Sequence, residues 1–131
     1  MSDEELFQTN ELSRPAASRL LHRAVQQEER GDLQAAAKSL QRAVDLDPRP
    51  AALHRLGEIW LKLRQPERAI VPLAAAVTLD QKGKAASSLA HAFMKLRREP
   101  EAHAMAMLAL TRHPGDRQAL EVLEATREEE E

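Results

Sequence analysis

A register of 33 residues runs through the chain and limits what it can fold into more than any other feature. Lys62-Leu63-Arg64 recurs as Lys95-Leu96-Arg97, and Ala36, Ala69 and Ala102 fall in line on the same shift. So do Ala24, Gly57 and Ala90, then Ala43, Ala76 and Ala109, and Leu46-Asp47 with Leu79-Asp80. A fixed period of this size marks stacked supersecondary units, each burying its apolar face against the next, rather than one closed core.

Each unit reads as two helices. Over 15–29 the apolar residues Ala17, Leu20, Leu21, Ala24 and Val25 follow the three-and-four spacing of one helical stripe, with Ser13 and Pro15 as a start signal. Gly31 supplies a left-handed stop and Asp32 a cap for a second helix over 33–46, striped by Leu33, Ala36, Ala37, Leu40, Ala43 and Val44. The second unit pairs 51–63 with 66–79, and the third pairs 84–96 with 100–111. Pro66 and Pro100 fall in a first turn, where a missing N–H costs little. Pro72 lies deeper and predicts a kink without a break. A seventh helix over 116–127 carries Ala119, Leu120, Val122 and Leu123 towards the core and lacks a partner, so it reads as a cap. The expected fold is all-α: a right-handed α-solenoid of three helix-turn-helix repeats (about 15–48, 50–81 and 83–114) and a capping helix, between an acidic segment 1–14 and an acidic tail 128–131.

Composition agrees. Ala and Leu fill 42 of the 131 positions while aromatic residues make up 2%, which suits a core of closely packed helices. The absence of Cys removes disulfides, thiolate metal sites and a cysteine nucleophile. Asp3, Glu4 and Glu5 stand where a secretory signal needs basic residues, and no run approaches a membrane span, so a soluble cytoplasmic chain is expected. Segment 13–115 carries 17 Lys and Arg against 10 Asp and Glu, and the whole excess of seven lies in 49–98 (ten against three). The formal net charge of −2 therefore hides a basic middle between acidic ends.

The pattern resembles the tetratricopeptide repeat over about 15–114. The second unit fits best, with Leu53 for the leading aromatic, the Leu56-Gly57 pair, Trp60 for the Tyr, then Ala69 and Leu73, although Gln81 stands in place of the closing Pro. The first unit keeps Ala24, Ala36, Leu40, Ala43 and Pro48; the third keeps Leu89, Ala90, Phe93, Ala102, Ala109 and Pro114. Gly57 and its counterparts let paired helices approach, and Trp60 and Phe93 take packing positions. Ankyrin repeats share the period, but their Thr-Pro-Leu-His motif does not occur.

The resemblance implies a binding array in which the first helix of each pair lines a concave groove. By position, the candidate partner-binding residues are Leu21 and Val25 from the first unit, His54, Arg55, Glu58 and Lys62 from the second, and Lys84, Ser88, His91 and Lys95 from the third. Ser18, His22, Glu28, Leu61, Ser87 and Met94 complete that surface. The implied groove is apolar near Leu21 and Val25 and basic near Arg55, Lys62, Lys84 and Lys95, so the expected partner is a peptide or helix of acidic and apolar character. Family members that clamp the carboxylate end of chaperone peptides use places that here hold Leu21, Val25, Arg55, Lys84 and Ser88. Only Lys84 matches, so that ligand is not expected.

No phosphate-cradling Gly loop, nucleophile motif or metal-ligand spacing is present, so neither catalysis nor a cofactor nor a metal is expected. The principal alternative is nucleic-acid binding through Arg49, Arg55, Arg64, Lys95, Arg97 and Arg98. A secretion-type chaperone and self-association through the apolar ends of a short array are the others.

Overall fold

The computed structural model describes residues 3–130, with side chains for 13–127. Among the described residues seven helices follow one another: α1 (Asp3–Glu29), α2 (Leu33–Leu46), α3 (Pro50–Lys62), α4 (Pro66–Leu79), α5 (Ala85–Lys95), α6 (Glu99–Arg112) and α7 (Arg117–Glu130). α1 packs on α2, α3 on α4 and α5 on α6, and each second helix packs on the first helix of the next pair. α3 also touches α5, and α5 touches α7, so the first helices of the pairs stand side by side. This is a helical-repeat solenoid.

The small residues of the register sit where helices meet. Ala36, Ala69 and Ala102 are wholly buried, as are Ala24 and Ala90. A Cβ on Gly57 would fall inside the side chain of Leu73, itself fully buried. One apolar cluster joins α1, α2 and α3 through Ala24, Ala36, Leu40, Leu56 and Ile59. A larger one runs from Leu53 through α4, α5 and α6 to Ala119 and Val122 of α7. Half-buried Trp60 packs against both, which is the packing role its repeat position implies.

The three turns within the pairs close alike. Gly31 adopts φ +80° and its N–H bonds the Glu28 carbonyl, while the Asp32 N–H reaches the Gln27 carbonyl, both at 2.9 Å. Arg64 (φ 61°) and Arg97 (φ 59°), the residues 33 and 66 positions on, repeat this left-handed closure, with Gln65 N–H on Trp60 O and Arg98 N–H on Phe93 O at 2.9 Å. A residue with a Cβ is strained there and glycine is not. We expect Arg64→Gly and Arg97→Gly each to raise the unfolding free energy by about 0.5–1 kcal/mol, seen as a rise of a few degrees in the melting temperature.

Three expectations need correction. The helix does not start at Pro15: α1 begins at Asp3 and passes through it. Pro15 is exposed, on the side where solvent can take up the carbonyl that its missing N–H would have bonded. No backbone break therefore separates 3–14 from the first repeat, while the side chains of 1–12 and of the tail 128–131 lie outside the described residues. Asp32 stands before α2 but makes no side-chain cap, because its ψ of 71° departs from the extended conformation that turns a capping oxygen onto the first helical N–H groups. In α7 the buried stripe is Ala119, Val122 and Thr126, leaving Leu120 48% exposed. The Thr126 hydroxyl sets that phase by donating to Leu123 O at 3.0 Å and lying 2.9 Å from His103 Nδ1. α4 runs unbroken through buried Pro72.

Candidate functional site

The row of first helices carries the candidate residues, and clefts open along it. The first lies where α1, the end of α2 and the start of α3 meet. It holds about 520 Å³ and is lined by Arg14, Ser18, Leu21, Ala43, Arg49 and Ala52, so Leu21 gives it an apolar wall. Val25, one turn on, is half-buried. His22 is exposed.

Between α1 and α3 the surface is sealed by charge. Glu28 accepts from Lys62 Nζ at 2.7 Å and from Arg55 Nη1 at 3.0 Å, reaching across 34 and 27 residues. Burial raises the Glu28 carboxyl, but Lys62 and Arg55 together outweigh it and hold the pKa below the ordinary value. A carboxylate so depressed stabilises the fold above the ordinary glutamate range and loses that contribution as pH falls through its lowered pKa. Both cations are about half exposed, which keeps the pair small. Glu28→Gln should therefore cost about 0.2–1 kcal/mol at neutral pH and less at acid pH, as the parent carboxyl takes up its proton through the lowered pKa. Parallel melts of both proteins at the two pH values measure this.

A second network joins α3 to α5. His54 Nε2 lies 2.8 Å from Glu58 Oε1 and 3.0 Å from Ser88 Oγ, and Ser88 donates to Glu58 at 3.3 Å. The His54 contact is the main reason the Glu58 carboxyl sits below its ordinary pKa, against an opposing effect of burial. Ser87 turns away from the groove. Its hydroxyl meets Asp116 Oδ1 at 2.8 Å, and the same oxygen accepts the Ala119 N–H at 3.0 Å as the cap of α7. Burial raises the Asp116 carboxyl, while the Ala119 N–H, Ser87, Lys84 and His113 bring it below normal.

Lys84 is exposed at the start of α5, and Lys95 is exposed in its last turn. Among the described residues neither has an acidic partner within 4.0 Å. Lys95 lines a cleft of about 550 Å³ between α3 and α5, with Leu61, Lys62, Arg64, Pro66 and His91. A smaller space between α5 and α7 is walled by His91, Met94 and Lys95 on one side and Glu121 and Val122 on the other. Burial first, then Lys95, push the His91 pKa down, against a smaller pull upward from Glu121, so the ring is neutral at neutral pH.

The structure thus brings His54, Glu58 and Ser88 together, ties Arg55 and Lys62 to Glu28, and groups His91 with Lys95. Leu21 and Val25 stand apart from these on α1. The positional reading of the groove passed over Arg64, as it did Arg14, Arg49 and Glu121, which also line these clefts. The signal for Arg64 was the register, which gives it the place of Gly31. Of the six candidate phosphate contacts, Arg49, Arg55 and Arg98 are paired, with Asp47 at 2.6 Å, Glu28 at 3.0 Å and Glu101 at 3.2 Å. Among the described residues no group of three His, Asp or Glu side chains could hold a metal ion, and no helix is long and apolar enough to cross a membrane.

No protein-family model matches the chain, and no curated protein matches it. Solved structures do. The first TPR of Spaghetti (RPAP3) bound to HSP90 peptide SRMEEVD aligns with a TM-score of 0.82 at 19% identity, over 88% of this chain and 94% of that one. The Arabidopsis OM64 TPR domain gives 0.82 at 18% identity, covering 89% and 98%. YrrB, a TPR protein with an unusual peptide-binding site, gives 0.80 at 19% identity over 88% of this chain and 60% of its own. At such identities the likeness is one of architecture, and the architecture of this chain is that of the tetratricopeptide repeat.

Proposed function

We propose that the chain is a non-catalytic adaptor of the cytoplasm that holds a segment of a partner protein, acidic and apolar in character, against the row formed by α1, α3 and α5. The observation that carries this reading is the surface of that row: Leu21, Val25, Leu61 and Met94 lie half-buried along it, and Lys84 and Lys95 stand exposed beside them with no acid within 4.0 Å among the described residues. Half-buried aliphatic side chains next to unpaired cations suit a ligand that offers an apolar anchor and carboxylates. A domain of the same fold is bound to the HSP90 peptide SRMEEVD, which supports a peptide as the kind of ligand. With only Lys84 at a clamp position, the partner is a different one.

A pull-down from nuclease-treated lysate tests the reading, with the intact chain as one bait and a triple variant (Arg55→Ala, Lys84→Ala, Lys95→Ala) as the other. The expected result is a protein retained by the first and lost from the second. Equal retention by both would move the site off this face, and binding that vanishes with nuclease would replace the adaptor by a nucleic-acid binder.

A further inference from the structure

Three neighbouring spaces along the first helices differ in charge. Between α1 and α3, Glu28 neutralises Arg55 and Lys62. Between α5 and α7, Glu121 faces Lys95 and His91. The cleft between the C-terminal turns of α3 and α5 is lined by Lys62, Arg64, His91 and Lys95 and by no acid, Glu58 lying one turn back on α3 against His54 and Ser88. Lys62 there is spoken for by Glu28, whereas Arg64 and Lys95 have no acid within 4.0 Å among the described residues, Glu121 facing Lys95 only across the adjoining space. They approach from the C-terminal ends of two adjacent helices, with Leu61 and Pro66 as the apolar part of the wall.

Arg64 closes the turn after α3 at φ 61°, as Arg97 closes the turn after α5 at φ 59°. That closure puts the Arg64 guanidinium on the rim of the cationic cleft.

We propose that the α3/α5 cleft is where the adaptor reads acidity: Arg64 and Lys95 bind two neighbouring carboxylates of a partner protein segment, and an aliphatic side chain between those carboxylates lies on Leu61 and Pro66. This rests on the adaptor reading and narrows it. The acid-binding centre moves from the middle of the groove, where Arg55 is occupied, to the edge at which the within-pair turns lie. A protein segment fits the cleft better than a phosphate backbone does. Glu67, Glu99 and Glu101 follow the arginines along that edge at the starts of α4 and α6, so the cationic stretch is short and suits two carboxylates rather than a continuous run of phosphates. Trp60 and Phe93 are packed on the core and carry Arg68 and Arg98 over their rings at 4.9 and 5.0 Å, so neither is open to a stacking base.

The test is a titration of the full ¹⁵N-labelled chain with three probes: an acetylated Glu-Asp-Leu-Glu-Glu peptide, its Gln-Asn-Leu-Gln-Gln counterpart, and a short oligothymidylate. The acidic peptide is expected to shift the amides of Arg64, His91 and Lys95, and its amide counterpart to leave them in place. Arg64→Gly and Lys95→Ala should each weaken the acidic peptide about tenfold. Arg97→Gly, which relieves the same strain outside the cleft, should leave affinity unchanged. Arg64→Gly is thus expected to stabilise the fold while weakening binding, a combination that a purely structural arginine does not give. Shifts confined to Leu21, Val25 and Arg55 would overturn the cleft and keep the adaptor. No shift with the acidic peptide would sink the cleft, leaving the pull-down to decide the adaptor. Tighter binding of the oligothymidylate at the same residues would overturn both.

Discussion

Gly57→Ala should lower the unfolding free energy by about 1–3 kcal/mol, and Leu73→Ala by about 2–5 kcal/mol, yet the two together should cost much less than their sum. Leu73 is fully buried, and its branch atoms occupy the space into which a Cβ at position 57 would project. The added methyl therefore overpacks the α3/α4 contact in the parent, whereas in the Leu73→Ala background it enters a cavity already opened. Denaturant titration of the four proteins of this cycle gives the coupling directly. Additive losses would mean that the pair does not share one space, and the close approach of α3 to α4 described above would be wrong.

Removal of α7, by ending the chain after Gly115, is expected to have the other large effect. α7 covers the exposed side of α5 and α6 with Ala119, Val122 and Thr126, and Asp116 ties it to Ser87. Burial of Val122, Ala119 and the inner part of Leu123 is worth about 4 kcal/mol, a large share of the roughly 5–15 kcal/mol that holds a domain together. The uncovered face is apolar, so the shortened protein should melt at lower temperature and form oligomers or precipitate. Size-exclusion chromatography with light scattering, beside a thermal melt, measures both. A truncated chain that stays monomeric and melts with the parent would show that α7 is an appendage and not a cap.

What could be read from the sequence was whatever a short spacing determines. The register of Ala36, Ala69 and Ala102, and of Ala24, Gly57 and Ala90, announced the helix pairs because contact between backbones leaves no room for larger side chains there. Partners fixed by the superhelix were hidden. Glu28 finds Arg55 and Lys62 only once the turn between the first two pairs has placed α1 beside α3, and no local pattern encodes that distance. The stripe of α7 was misphased because Thr126, a polar residue, is buried through its hydrogen bonds, so Leu120 was assigned to the inside on hydrophobicity alone. The candidate cations were legible as residue types, but their availability was not, since occupancy depends on acids from neighbouring repeats. Arg64 shows the reverse case: the register marked its position, and only the backbone dihedral gave the position a meaning.

The place of α3 bears on the order in which the molecule assembles. Leu56 and Ile59 serve the cluster with α1 and α2, Leu53 serves the cluster that extends to α7, and Trp60 touches both. Contacts that bring together only successive helices demand little loop closure and favour fast folding. In such an array growth proceeds outward from whichever unit forms first. Among the described residues only the middle pair contributes buried side chains to both clusters, the first pair reaching the larger one through half-buried Val44. A structure that starts from the middle pair can therefore extend in either direction, whereas a start at either end has one direction only.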